Sequence, residues 1–577
     1  MPTPFELFKI EESTLEKLEK HPVAYFCAEF AFTDELPIYS GGLGILAGDC
    51  IREASDMSLP LVGVGLLYKQ GYFRQVITLN GMQDELPAYH TLTSLPISKL
   101  HDAEYSPLQV RLHMGDREVK VQLWKYEQGN VQVILLDTDI PENSETDRRL
   151  TLSLYPSDSD WRIQQEIILG IGGVKALRAL GYEPSVFHMN EGHSAFAVLE
   201  IAHQEMKRWG MAFEEAFQSA CKKTVFTNHT LIPSGNDMFH KDQVQRLLSS
   251  YAQHLGLPTE KMIEMGSLKD APDYFSMTHL ALSTSRKISA VSRSHAQFAK
   301  VTWPDSRLTP ITNGVHVNTW QHERFRELGE KVSRGFEVTD GAIWRAHLDV
   351  KEHLSEYVVG LTGRDFDPEA LTITWARRIA GYKQPLLVFS DMERLKKIVD
   401  NARFPVQILI AGKAHPGDVL AKQLVVEILK KIEDYDLGRQ VTFLPNYSME
   451  MAKVLVSGSD VWINTPEKGK EACGTSGMKA AMNGVLQAAI SDGWTDEINL
   501  HEIGFFIDPQ NSADSFYEQL EKNIVPLYYT DRDSKGVPVE WVQKMRNTIQ
   551  VAQDRFTSRR MLMEYITELY LPVLADK

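Results

Sequence analysis

The stretch LTITWARRIAGYKQPLLVFSDMERLKKIV (371–399) decides the architecture. Its first six residues alternate β-branched and apolar side chains, as a buried strand does. A cationic turn follows, and KQPLLVFSDMERLKKIV (383–399) has the apolar spacing of a helix. The pattern then repeats. VQILIAG (406–412) is a strand and DVLAKQLVVEILKKIEDY (418–435) a helix. VTFLPN, SMEMAKVLVSGS, DVWINTP, GTSGMKAAMNG and VLQAAIS continue the alternation. Strands alternating with helices specify a parallel, doubly wound α/β sheet. Working outward, VAYFCAE (23–29), SVFHMNEGHSAFAVLEIAHQEM (185–206), TVFTNHT (224–230) and KISAVSRSHAQFAK (287–300) show the same strand-to-helix order. Residues 108–137 instead alternate at period two around glycine turns, an antiparallel excursion. Residues 1–21 read as a short polar helix and 554–574 as a terminal helix. The expected organisation is two Rossmann-like domains facing a cleft, 1–315 and 316–577, the second carrying the terminal helix.

Composition narrows the function. The chain has 577 residues, 61 Lys and Arg against 77 Asp and Glu, and a net charge of −16. Such an acidic chain repels polyphosphate backbones, so nucleic acid is not expected as a partner. Its four cysteines, Cys27, Cys50, Cys221 and Cys473, are far apart and show no metal-ligand spacing. No metal is expected, and four thiols suit a reducing, cytoplasmic setting. The N-terminus lacks a signal-peptide core and no apolar run reaches membrane-spanning length.

In doubly wound sheets ligands bind beyond the carboxyl ends of strands. Four such places are polar. SGGLG (40–44) enters a helix; Gly41 and Gly42 let a backbone approach an anion, or simply make a tight turn. MNEGH (189–193) and TNHT (227–230) put His193 and His229 after apolar strands, as core histidines or as ligands for sugar hydroxyls. ARRIAGYK (376–383) gathers Arg377, Arg378 and Lys383, a combination suited to phosphate. EACGTSGMKAAMNG (471–484) sets small residues before a helix that carries Lys479. That lysine is either a surface residue or a desolvated, lowered-pKa amine suited to Schiff-base chemistry.

Together these motifs resemble the glycogen/starch (α-glucan) phosphorylase family over roughly residues 22–577, in its short bacterial and archaeal branch. EACGTSGMKAAMN is similar to that family's pyridoxal-phosphate attachment motif, and AEF, SGGLG, NEGH, TNHT, TNG, RRIAGYK and NY precede it in the family's order. The resemblance implies two Rossmann-like domains of the glycosyltransferase GT-B type and pyridoxal 5′-phosphate as cofactor, with Lys479 as its Schiff-base lysine. Arg378 and Lys383 would hold the substrate phosphate, and Arg377 the cofactor's phosphate. Thr475 and Ser476 would cradle that phosphate with backbone help from Gly41 and Gly42. His229, Asn313 and Glu471, with the amides of Cys473 and Gly474, would bind the transferred glucose. His193 would join the substrate-binding set, and Tyr447 and Trp320 would lie around the pyridoxal ring.

The implied reaction is reversible, retaining phosphorolysis of glycogen, starch or maltodextrin. A terminal α-1,4-linked glucose passes to inorganic phosphate, giving α-glucose 1-phosphate. The same likeness implies a cytoplasmic homodimer. Three positions depart from the pattern. Cys473 replaces a serine, Ala31 stands where the long phosphorylases place a tyrosine, and Ile45 replaces an arginine. No N-terminal phosphorylation or nucleotide-control extension is evident, so no such regulation is expected. Two other readings compete. One is a nucleotide-sugar-dependent glucan synthase of like fold, against which Lys479 in a full cofactor motif argues. The other is a catalytically silent glucan-binding protein, against which the joint presence of Lys479, Arg378, Lys383, His229 and Glu471 argues. A two-carboxylate glycosidase is weaker still, because no facing acidic pair is evident.

Overall fold

The computed structural model describes residues 10–230, 235–304 and 306–575. The chain divides into two compact units. Unit 1 holds the chain up to Tyr72, Pro87–Thr312 and the segment from Arg559 onward; unit 2 holds Phe73–Leu86 and Asn313–Ser558.

Unit 2 is built on six parallel strands among the described residues. In spatial order they are Val441–Leu444, Val406–Ala411, Leu371–Ala376, Val461–Asn464, Leu486–Ala489 and Gly504–Phe506. Numbered along the unit this is 3-2-1-4-5-6, the dinucleotide-fold order. Every residue of Leu371–Ala376 and Val406–Ala411 is buried, because helices cover both faces of a parallel sheet. Strands are added to one side of Leu371–Ala376 and then to the other, so the switch point lies between Leu371–Ala376 and Val461–Asn464.

Unit 1 repeats the plan. Val23–Phe26 is flanked by Leu61–Leu66 and then Val131–Asp137 on one side. On the other side come Val186–Asn190, Thr224–Asn228, Lys287–Ala290 and Leu308–Pro310, all parallel. The sheet continues antiparallel through Arg117–Gln128, which pairs with Gln109–Met114 and Ser98–Lys99. Here the switch point lies between Val23–Phe26 and Val186–Asn190.

Two local readings change, and a third falls partly outside the described residues. The helix expected over 383–399 forms only at Met392–Val399. Gln384 adopts φ 50° and Pro385 follows it, so the chain makes short turns before the Asp391 side chain caps the helix at Arg394 N. Of the helix expected over 1–21, Glu12–Lys20 is present and residues 1–9 lie outside the described residues. The terminal segment, grouped with the second domain on sequence, belongs to unit 1. There Met561, Leu562, Tyr565, Ile566 and Leu569 join the unit 1 core, and the Tyr570 hydroxyl meets His188 Nδ1 at 2.8 Å. Among the described residues no helix is long and apolar enough to cross a membrane.

Candidate active site

The switch point of unit 2 collects the chemistry. Arg377 follows the Leu371–Ala376 strand directly and is buried; its Nη2 donates to Glu471 Oε1 at 2.9 Å. Lys383, also buried, stands on the short turn Gly381–Lys383 and reaches the same carboxylate at 3.1 and 3.0 Å. Two cations therefore converge on one carboxylate. Burial alone would push the Glu471 carboxyl up, but Arg377 and Lys383 outweigh it and hold it down at about 2. Glu471 is thus an ionised acceptor at neutral pH. Arg377 Nε and Nη1 are buried with no hydrogen-bond partner among the described residues. Two orphaned guanidinium donors mark a place built for an acceptor that the protein itself does not supply.

The resemblance groups Arg378 with Lys383, whereas the structure brings Arg377 and Lys383 together. Arg378 is exposed, with its Nη2 3.5 Å from the Tyr382 hydroxyl. Successive residues leaving a strand point to opposite sides, so one arginine of the pair turns inward and the other outward.

The loop carrying Glu471 is pinned from below. Asp492 Oδ2 accepts from Gly469 N at 2.9 Å and Glu471 N at 3.1 Å, and Oδ1 accepts from Gly493 N at 2.9 Å. Burial raises Asp492 to about 6 despite those three donors. Gly474 lets the loop pass close to the cluster: a Cβ there would lie 2.9 Å from Glu471 Oε1 and 3.1 Å from Arg377 Nη2 and would displace those side-chain ends. Half-buried Cys473 sits just before it, packed so that a Cβ on Gly493 would meet the Cys473 Cα at 3.1 Å.

The helix Thr475–Ala481 follows. Ser476 Oγ accepts from Trp462 Nε1 at 3.3 Å. Lys479 points inward, 6% exposed, with Nζ 4.1 Å from the centre of the Trp320 ring. Burial pushes the Tyr447 hydroxyl up while the charge of nearby Arg377 opposes it. Asn313 is buried at the start of unit 2. Trp462 and Asn464 lie on one face of their strand. Asn464 and Thr465, at its carboxyl end, are buried with their side-chain polar atoms unpartnered among the described residues. The sequence reading missed Asp492, Asn464 and Thr465, although Asn464 ends an apolar strand, Thr465 follows it, and Asp492 comes three residues after another.

Unit 1 holds the histidines and the glycine turn at its own switch point. His229 N donates to Glu191 Oε1 at 2.7 Å, and its Nε2 bonds Asn190 Oδ1. Burial, reinforced by His295, His188 and His193, pushes His229 far down, so it is neutral at physiological pH. His193 meets Asp237 at 3.4 Å and is lowered to about 4, by burial first and then by Arg162 against the opposing Asp237. The Gly41 amide is occupied: with Ser40 N it donates to Glu29 Oε2, at 3.1 and 2.7 Å. Gly42 opens the helix Gly42–Asp56, with nothing where a Cβ would be. Glu29, held on its other oxygen by the Tyr155 hydroxyl at 2.7 Å, therefore shapes the turn, a role the sequence reading did not give it. The departures at Ala31 and Ile45 are core positions. Ala31 is fully buried and its carbonyl would lie 2.0 Å from a Cβ on Gly48.

Two Rossmann-like units of this kind, one carrying both a buried lysine and a cation–carboxylate cluster, define a glycosyltransferase-like α/β class. Comparison with known proteins is consistent with this. The family model described as carbohydrate phosphorylase matches residues 338–504, and that of the starch synthase catalytic domain matches residues 85–300. The chain is 36% identical to a maltodextrin phosphorylase of Thermococcus litoralis, over 96% of this chain and 71% of the relative. It is 35% identical to a glycogen phosphorylase of Mycobacterium tuberculosis, over 95% and 71%. A glycogen phosphorylase of Aquifex aeolicus is 33% identical over 99% of this chain and 89% of its own length. The chain belongs to the carbohydrate phosphorylase family.

Proposed function

We propose that the protein is an α-1,4-glucan phosphorylase that uses pyridoxal 5′-phosphate and transfers a terminal glucose to inorganic phosphate with retention. The observation that carries the reading is that unit 2 holds both the Arg377–Lys383–Glu471 cluster and a buried Lys479, on the helix that Gly474 opens against Glu471 and Arg377. The residues fit the cofactor. Lys479 would hold it through its amine, with Trp320 against that amine and Tyr447 nearby. The unpartnered Nε and Nη1 of Arg377 would receive a phosphate group. Once bound, the cofactor supplies a phosphate monoester, whose second ionisation near pH ~6 suits proton exchange with the substrate phosphate.

The chain's own residues do the rest. Arg377 and Lys383 orient anionic oxygens and offset their charge as an oxocarbenium-like centre develops. Arg378, exposed beside them, adds a third cation to the substrate-phosphate end. Glu471, fixed as a carboxylate, accepts hydrogen bonds from sugar hydroxyls, and the amides of Cys473 and Gly474 offer donors beside it. Thr475 and Ser476 place two hydroxyls at the start of the lysine's helix. In unit 1, neutral His229 is suited to a sugar hydroxyl.

The test is a visible spectrum of the purified chain before and after borohydride, with phosphate release from glucose 1-phosphate in the presence of maltodextrin. A reducible chromophore lost in Lys479→Ala, together with phosphate release, supports the reading. A colourless chain that stays inactive with added pyridoxal phosphate, yet transfers glucose from a nucleotide sugar, would overturn it.

A further inference from the structure

The motif around Lys479 ends in an asparagine with no role so far. Asn483 lies two residues beyond the lysine's helix and is fully buried. Its Nδ2 donates to the Trp320 carbonyl at 2.8 Å and to the Lys479 carbonyl at 3.0 Å. Its Oδ1 accepts from His322 N at 2.7 Å. The two amide hydrogens thus face two carbonyls and the amide oxygen faces an N–H. The flipped amide would oppose like to like at all three, so the orientation is set. A second tie runs beside it, from Gln321 Nε2 to Met482 O at 2.7 Å. The segment that carries Trp320 is also braced from its far side, where Arg326 Nη1 donates to Asn318 O and Gln321 O at 2.7 and 2.8 Å.

One side chain therefore grips the backbone of both partners in the contact between the Trp320 ring and Lys479 Nζ, 4.1 Å apart. A cation over an indole face is attracted by the ring quadrupole, but only while ring and amine keep register. Helix Thr475–Ala481 sets the amine, and short helix Val317–Trp320 sets the ring. Asn483 bonds to both segments.

We propose that Asn483 is a positioning residue that holds the Trp320 ring against the Lys479 amine, fixing and shielding that amine before any ligand binds. This rests on the reading of Lys479 as the anchoring amine.

The test uses the full chain without cofactor, so it is independent of turnover. Lysines are acylated with a small amine-specific reagent at one fixed pH, and rates at each site are read by peptide mass spectrometry. Lys351 reports general loosening, because it is 1% exposed and bound to Asp460, Tyr528 and the Ala370 carbonyl. Asn483→Ala is expected to raise the Lys479 rate about fivefold relative to Lys351, the scale of a lost hydrogen bond. Trp320→Leu should do the same with Asn483 intact. In the double variant the rate should rise less than about twofold beyond Trp320→Leu alone, since Asn483 acts through the ring. Asn483→Asp keeps the acceptor for His322 N but loses both donors and sets an oxygen against two carbonyls, so it should accelerate Lys479 at least as much as Asn483→Ala. If Asn483→Ala does not fold, the aspartate and Trp320→Leu variants carry the same comparison. Equal acceleration of Lys479 and Lys351, or multiplicative effects in the double variant, would overturn the proposal. If rates change as expected but added pyridoxal phosphate yields no chromophore, the positioning role stands and the phosphorylase reading fails.

Discussion

Replacing Glu471 by glutamine tests the central cluster most directly. The side chain keeps its shape but loses the charge that both Arg377 and Lys383 face at about 3 Å. The magnitude follows from the carboxyl's own titration. Its descent from 4.5 to about 2, at ~1.36 kcal/mol for each pH unit, amounts to about 3 kcal/mol of native-state stabilisation at neutral pH. That agrees with the ~3–5 kcal/mol typical of breaking a buried ion pair by removing one partner. The sign is that of a depressed carboxylate. The stabilisation is complete above the unfolded value of 4.5 and is lost as pH falls through about 2. Glu471→Gln should therefore be less stable by about 3 kcal/mol at pH 7 and at pH 6, with the gap narrowing by about 1.4 kcal/mol at pH 3.5. The assay is urea unfolding of the ligand-free chain, followed by amide exchange in Leu371–Ala376 and Val461–Asn464 so that unit 2 is read separately from unit 1. Added inorganic phosphate should stabilise the variant more than the wild type, because the two cations have lost their internal counter-charge. A gap below ~1 kcal/mol at pH 7, a gap unchanged at pH 3.5, or weaker phosphate stabilisation of the variant would refute the reasoning.

Three further outcomes are expected. Asp460 binds Lys351 at 2.7 Å and His347 at 2.6 Å, all three fully buried at the amino end of the Leu371–Ala376 strand. Asp460→Asn should cost about 3–5 kcal/mol of unit 2 stability in urea, while phosphate affinity at the opposite end of the strand stays unchanged. Gly412→Ala would drive a Cβ to 2.1 Å from the Arg377 carbonyl; displacement of that arginine should weaken phosphate binding about tenfold or more, a change of ~1.4 kcal/mol, measurable by calorimetry. His229 is held neutral by burial and its neighbouring histidines, so its ring resonances should not titrate between pH 5 and 8 in NMR, and a midpoint near the ordinary 6.5 would contradict the structure.

The alternation of strands and helices was readable because periodicity encodes it directly; the order 3-2-1-4-5-6 of unit 2 was not, because right-handed crossovers fix the hand of each connection and not the side of the sheet on which the next strand adds. Of the two readings of Lys479, surface residue or desolvated amine, the structure bears out only its burial. The Arg377–Lys383 pairing was not. It depends on which way each residue turns after the strand and on the short turn at Gly381–Lys383 that replaces the expected start of a helix. Amphipathicity announces that the last segment packs, not against which unit, so its place with unit 1 is visible only in contacts such as Tyr570 with His188. Glu29, Asp492 and Asn483 act on backbone groups distant in sequence, and nothing in their local pattern separates them from ordinary turn residues.

The protonation states in unit 2 also separate the proposed chemistry from two-carboxylate glycoside hydrolysis. That mechanism needs one carboxyl kept protonated to serve as acid beside another kept ionised. Glu471, at about 2, and Asp492, raised to about 6, at first suggest this. Asp492, however, already accepts from three backbone N–H groups, on both of its oxygens. A proton delivered from either oxygen would have to compete with a bond that holds the Glu471 loop. Glu471 cannot take the acid's part, because Arg377 and Lys383 keep it ionised far below neutrality. With both carboxyls committed, the acid must come from outside the side chains of this cluster. On the proposed function, the two cations and the orphaned donors of Arg377 would bind a phosphate, and that phosphate would supply the proton.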